Sequence, residues 1–147
     1  MNISAKSIEA FLQKTDDSFP IPLSHKVNIH EFAKKLHDKG TLCVECSNRE
    51  ILSMVAGYTD NVINNIGYIS LVATLPEARN QGLAQKLVAQ FLEIAREKGL
   101  DAVHLYAVPS NKSAIRIYDN LGFVRYFCAN EPRPDDLHLI YRYKEEK

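Results

Sequence analysis

The passage Ile66-Gly67-Tyr68-Ile69-Ser70-Leu71-Val72-Ala73-Thr74-Leu75-Pro76 runs directly into Glu77-Ala78-Arg79-Asn80-Gln81-Gly82-Leu83-Ala84 and then into a long amphipathic stretch. A strand, a turn and a helix are therefore read from one continuous segment. Ile69, Leu71, Ala73 and Leu75 alternate with Tyr68, Ser70, Val72 and Thr74, the period of two that a strand imposes. Both sets are mostly apolar or small, which predicts a central strand covered on both faces and closed by Pro76. From Gln81 to Lys98, Leu83, Ala84, Leu87, Val88, Phe91, Leu92 and Ala95 form one stripe, and Gly99 stands where a left-handed terminating glycine belongs. This predicts a helix of about 17 residues, roughly 25 Å long.

Working outward, Ile8, Phe11 and Leu12 within residues 5–15 recur at helical spacing. Ile29, Phe32, Ala33 and Leu36 do the same within residues 28–39, with Gly40 expected to end that helix in the left-handed region. Residues 41–46 and 51–58, rich in Val, Ile, Leu, Cys and Met, flank Ser47-Asn48-Arg49-Glu50 and predict an antiparallel hairpin. Downstream, residues 102–108 read as a strand, 111–121 as a helix stopped by Gly122, and 123–128 as a strand. A last strand, 137–143, alternates Leu137, Leu139, Tyr141 and Tyr143. The order describes a single mixed α/β sheet in one domain spanning residues 1–147. The last strand is long, apolar and aromatic, so left as an edge it would invite pairing and support a homodimer.

Composition bounds the function. A chain of 147 residues with 46% hydrophobic and 24% charged residues matches ordinary globular usage, which argues against disorder or a disulfide scaffold as its main description. Eighteen basic residues balance eighteen acidic ones, so there is no electrostatic footprint for nucleic acid. No apolar run approaches the roughly 18–20 residues of a membrane span. Three cysteines without a charged-then-apolar N-terminal leader lead to the expectation of a reducing, cytoplasmic location.

The turn at residues 76–84 is where chemistry enters. A helix N-terminus leaves about four backbone N–H groups unsatisfied and carries roughly half a positive charge, so it receives a phosphate without needing a side chain. Gly82 would let the backbone approach closely, Ala84 would keep the next turn open, and Arg79 would add a forked cation. The same residues also suit a plain helix start with a glycine in its turn. Neither G-x-x-x-x-G-K-[ST] nor G-x-G-x-x-G occurs, so a P-loop and a Rossmann fingerprint are unsupported.

Arg79-x-x-Gly82-x-Ala84, following Val72-Ala73-Thr74-Leu75-Pro76, resembles the acyl-CoA-binding motif of the GNAT family of N-acetyltransferases. The block Asn111-Lys112-Ser113-Ala114-Ile115-Arg116-Ile117-Tyr118-Asp119-Asn120-Leu121-Gly122-Phe123 is similar to that family's N-x-x-A-x-x-x-Y-x-x-x-G-F segment. Together the matches cover about residues 66–124; the first 60 residues resemble the family in element order only. The resemblance implies a mixed, mostly antiparallel central sheet with helices on both faces. It further implies acetyl-CoA as cosubstrate, no metal, and acetyl transfer to a primary amine of a small molecule such as an amino sugar, amino acid or polyamine. The alternatives are a protein N-terminal or lysine acetyltransferase, a non-catalytic acyl-CoA-binding sensor, and an interaction domain without CoA.

Residue by residue, the resemblance implies that the backbone of Val72, Ala73 and Thr74 pairs with the pantetheine arm and polarises the thioester carbonyl. Arg79, Asn80, Gln81, Gly82, Leu83 and Ala84 would hold the pyrophosphate, and Asn111 would contact the arm. Tyr118 matches the tyrosine that protonates the departing thiolate. The bland readings are that Asn111 caps a helix, shared with Ser110, and that Tyr118 is a core aromatic beside Ile115 and Leu121. Some members, including the ribosomal-protein alanine acetyltransferases, place a Glu five residues before the motif asparagine; here that position is Tyr106, which counts against that subgroup.

His104 and Tyr106 share one strand face, opposite Val103, Leu105 and Ala107, so His104 is a candidate proton relay. Glu45, Glu77 and His138 are further candidates for the base. Acceptor binding is expected from the two N-terminal helices, the Phe19–Ser24 loop and the 129–136 loop, where Glu131, Asp135 and Asp136 could attract a cationic amine. No covalent intermediate is required, so Cys43, Cys46 and Cys128 are not assigned as nucleophiles. Cys43-x-x-Cys46 has the spacing of a metal or redox pair, but residues three apart on a strand face opposite ways and no second pair exists.

Overall fold

The computed structural model describes residues 3–143. Helices α1 (Ala5–Thr15) and α2 (Ile29–Lys39) precede the hairpin β1 (Thr41–Ser47) and β2 (Glu50–Tyr58). Then come β3 (Ile66–Thr74), α3 (Leu83–Glu97), β4 (Ala102–Ala107), α4 (Lys112–Leu121), β5 (Val124–Arg125) and β6 (Leu137–Arg142). The strands form one sheet in the order β1-β2-β3-β4-β6-β5. Only β3 and β4 run parallel; the other neighbours are antiparallel. The mixed, mostly antiparallel sheet is therefore as expected.

Local chemistry explains the helix boundaries. Ser4 and Ser7 form a reciprocal capping box at the start of α1, and Asn28 caps α2 by accepting from the Glu31 N–H at 3.0 Å, each satisfying donors that the first turn leaves free. Gly99 and Gly122 have φ of 78° and 105°, the left-handed stops predicted for α3 and α4. Gly40 does not: its backbone is extended, at φ −86°. It is needed for another reason, because a Cβ there would lie 2.6 Å from the Leu36 carbonyl oxygen.

Two apolar layers sandwich the sheet. Leu87, Val88, Phe91 and Ala95 of α3 pack with Val55, Ile69, Val103 and Leu105 on one side. Ile8, Phe11 and Leu12 of α1 and Ala33 and Leu36 of α2 pack with Met54, Ala56, Leu71 and Ala73 on the other. Ile69 and Leu71 therefore do not share a face, contrary to the strict alternation expected. The register explains it: Ala56 pairs with Leu71 and Gly57 with Ile69, leaving Ser70 as an extra residue in a bulge. One inserted residue reverses the facing of everything beyond it.

Three other expectations change. The strand expected over 123–128 is reduced to Val124–Arg125. The helix expected from Gln81 begins at Leu83. Strand β6 lies between β4 and β5 rather than at an edge, which removes the reason for a dimer through residues 137–143. As expected, Cys43 and Cys46 fall in opposite apolar layers, and burial pushes the Cys43 thiol up to about 11. Among the described residues no helix is long and apolar enough to cross a membrane.

Candidate active site

Strands β3 and β4 pair only through Ile66–Ala102, Gly67–Val103 and Tyr68–His104, whereas β3 stays paired with β2 as far as Thr74. Beyond Tyr68 the two parallel strands part. The bulge at Ser70 sits where they separate, and a bulge both twists and re-aims a strand. One side of β3 thus presents unpaired backbone donors and acceptors, a template for an extended, amide-bearing chain. Val72, Ala73 and Thr74 lie along this opening, and all three line a cavity of about 360 Å³ that reaches the turn.

In that turn Asn80 and Gly82 both have positive φ, 65° and 74°. A Cβ on Gly82 would meet nothing within 4 Å, so the glycine answers to backbone conformation. Helix α3 starts immediately after it with no side-chain cap, leaving its first N–H groups available to a ligand. Arg79, Asn80, Gly82, Leu83 and Ala84 line the cavity; Gln81 does not. A second cavity, of about 770 Å³, shares Phe19, Val72, Asn111 and Ala114 with the first. The two make one path from the helix N-terminus, through the gap between strands, to the space under the late loop.

Tyr118 and Asn111 stand on α4 along that path. Asn111 caps the helix by accepting from the Ala114 N–H while lining both cavities, so its two readings are compatible. Tyr118 is buried in the α3-side core with its ring 5.7 Å from Phe123, yet it also lines the larger cavity. Its hydroxyl makes no hydrogen bond among the described residues, and burial pushes its pKa up, keeping the proton on.

Across the gap lies a cluster that joins β4, β6 and the late loop. Glu131 accepts from the Tyr106 hydroxyl at 2.7 Å, from the Cys128 thiol at 2.9 Å and from His138 Nδ1 at 2.7 Å. Hydrogen bonds from Cys128 first and Tyr106 second hold its carboxyl well below the usual range, at about 2. Burial, reinforced by Glu131, pushes the Tyr106 phenol up. His104 Nδ1 lies 2.7 Å from His138 Nε2, and burial, then the neighbouring His138, lowers the proton affinity of His104. Cys128, Glu131 and His138 donor atoms lie within 4.8 Å of one another, a set chemically able to hold a metal. All three are already hydrogen-bonded to one another, so the geometry is that of a proton-sharing cluster.

Residues 8–123 match the family model described as the acetyltransferase (GNAT) family. The chain belongs to the GNAT family. Curated relatives of this GNAT chain include the mycothiol acetyltransferase of Thermomonospora curvata, 43% identical over 61 residues, or 42% of this chain and 20% of that protein. N-alpha-acetyltransferase 30 of Schizosaccharomyces pombe is 37% identical over 60 residues, or 41% of this chain and 40% of that one. The matches thus span a fifth to two fifths of these relatives. Among solved structures, the PaiA N-acetyltransferase of Thermoplasma acidophilum in complex with coenzyme A superposes with a TM-score of 0.73. That match is 14% identical and covers 97% of each chain, a likeness of fold.

The GNAT fold here brings His104 and Tyr106 onto one face as expected, with ring centroids 6.1 Å apart. The base candidates Glu45 and Glu77 lie elsewhere: Glu45 pairs with Lys86 on the surface, and Glu77 is exposed in the turn after β3. Of the acids expected to attract an amine, Glu131 is consumed by its cluster and Asp136 by Arg133 at 2.8 Å; Asp135 alone lines the cavity without a partner among the described residues. The role of Glu131 as a hub is new. Its signal in the sequence is only an acidic loop residue, because the residues it joins lie up to 25 positions away from it.

Proposed function

We propose that this GNAT protein transfers an acetyl group from acetyl-CoA to a primary amine of a small molecule. The observation that carries this reading is the continuous path from the uncapped start of α3 to Tyr118. Its two ends suit the two ends of an acyl-CoA. At the turn, Arg79 and the free N–H groups of α3 meet the pyrophosphate. Along the gap, the unpaired side of β3 at Val72–Thr74 pairs with the pantetheine amides, and one N–H faces the thioester oxygen as negative charge develops there.

The amine must be neutral to attack. Its nitrogen forms the new C–N bond, the C–S pair leaves on sulfur, and Tyr118 supplies a proton to that sulfur. Burial holds the Tyr118 phenol above its usual value near 10, so donation to a thiolate of about 8.5 is uphill and has to be concerted with C–S cleavage. The larger cavity, walled by residues 19–27 and 132–136 together, favours a small acceptor over a protein lysine. Asp135 on its wall suits an incoming cation. The test is thiol release from acetyl-CoA over a panel of amino sugars, amino acids, polyamines and short peptides. Release with a small amine supports the reading, binding without release with any amine indicates a sensor, and release only with peptides indicates an N-terminal acetyltransferase.

A further inference from the structure

We infer that Glu131, His138 and His104 form a proton relay, in which His104 takes the proton given up by the acceptor amine and His138, held against Glu131, carries the resulting charge. The inference rests on the acetyl-transfer reading above. It goes beyond it by naming where the proton goes.

His138 is 6% exposed and clamped between two tyrosine rings. Tyr106 stacks on it at 4.2 Å and 21°, and Tyr126 at 4.7 Å and 24°. Both ring nitrogens are engaged, so the proton positions follow from donor and acceptor chemistry. A carboxylate only accepts, so His138 Nδ1, 2.7 Å from Glu131 Oε2, carries a proton. The neutral ring then has its lone pair on Nε2, and His104 Nδ1, 2.7 Å away, must donate to it. That leaves the lone pair of His104 on Nε2, which has no partner among the described residues. The cluster presets one histidine as a base.

His104 opens into a third cavity, of about 710 Å³, between α2 and residues 60–63. This cavity and the acceptor cavity share Lys35, Tyr58 and Tyr68, and the Tyr58 hydroxyl there is buried without a hydrogen-bond partner among the described residues. The two cavities thus adjoin beside Tyr68, whose ring lies 4.9 Å from that of His104. The amine proton passes through solvent to His104 Nε2, and the His104 Nδ1 proton moves to His138 Nε2. His138 becomes the imidazolium, its Nδ1–H still donated to the Glu131 carboxylate. Return to the resting state delivers one proton through His104 Nε2 to solvent.

Burial, then His138, lowers the proton affinity of His104, and the Glu131 carboxylate opposes them. Tyr68 from β3, Tyr106 from β4, His138 from β6 and Glu131 with Cys128 from the late loop surround His104. At the cavity mouth, Lys35, Lys39 and Asp38 of α2 and Asp60 oppose one another in sign, and Asp60 is paired with Lys98. Glu131 is the fixed charge that favours the protonated relay.

The experiment combines imidazole 15N NMR of the wild-type chain with pH profiles of thiol release, using glucosamine, alanine and spermidine as acceptor probes. Both His104 and His138 are expected as Nδ1–H tautomers in the neutral state; an Nε2–H tautomer for either overturns the relay without any variant. Glu131→Gln keeps shape and an acceptor for Tyr106 while removing the charge. It should lower kcat about tenfold or more and move the acidic limb of kcat/KM to lower pH, with KM for acetyl-CoA unchanged. His104→Ala should regain rate with free imidazole. A wild-type enzyme that turns over while Glu131→Gln leaves rate and limb unmoved removes the relay alone; no thiol release by wild type with any probe removes the acetyl-transfer reading and the relay with it.

Discussion

Tyr118 is both a core aromatic and a cavity wall, and these two roles respond differently to losing one oxygen atom. Tyr118→Phe keeps the ring against Phe123 and removes no hydrogen bond among the described residues, so stability should hold within about 0.5 kcal/mol. Proton donation to the thiolate is lost, and kcat should fall about a hundredfold or more, within the usual range for a general acid. Steady-state thiol release with calorimetric binding of acetyl-CoA checks this; an equal fall in binding would make Tyr118 a packing residue only. Asn111 shows why single residues were partly legible: an asparagine before a helix caps it from local chemistry alone. That the same residue lines both cavities depends on where the helix is set.

At the scale of elements, the β1–β2 turn is under local strain. Asn48 and Arg49 both have positive φ, 51° and 66°, the conformation of a two-residue hairpin turn that asparagine and glycine adopt readily. Arginine there costs about 1–2 kcal/mol relative to relaxed backbone, partly offset because glycine adds freedom to the unfolded chain. Arg49→Gly, at an exposed position, should therefore stabilise by about 0.5–1 kcal/mol and raise Tm by about 1–4 °C in thermal denaturation. The hairpin itself was readable because the Ser-Asn-Arg-Glu run separates two apolar stretches. The bulge at Ser70 was not: it exists only in the pairing of β3 with β2, and no side chain in 66–74 announces which residue is skipped.

For the whole molecule, the path through the sheet couples ligand binding to folding. Acetyl-CoA at about 100 times its Kd should stabilise by about 2.7 kcal/mol, raising Tm by about 5–11 °C for a chain of this size. Arg79→Ala removes one charge-assisted contact, worth about 1.5–3 kcal/mol, so the same ligand concentration should give a clearly smaller shift. A shift that survives intact would exclude Arg79 from the phosphate site. The placement of β6 belongs to this scale too. Its apolar and aromatic residues would invite pairing if left as an edge, but β5 covers it through Val124–Ile140 and Arg125–Leu139, a contact of two residues too short to mark itself in the sequence.

The sequence by itself determined the helices and their stops, the hairpin, the strand-turn-helix at residues 66–84 and the Asn111–Phe123 block, because periodicity, caps and turn residues act over a few positions. Tertiary structure alone decided three things: the parting of β3 from β4, the facing reversed at Ser70, and the meeting of His104, Glu131 and His138. Each depends on pairing between segments distant along the chain, where register and packing, rather than local propensity, select which groups come within hydrogen-bond reach.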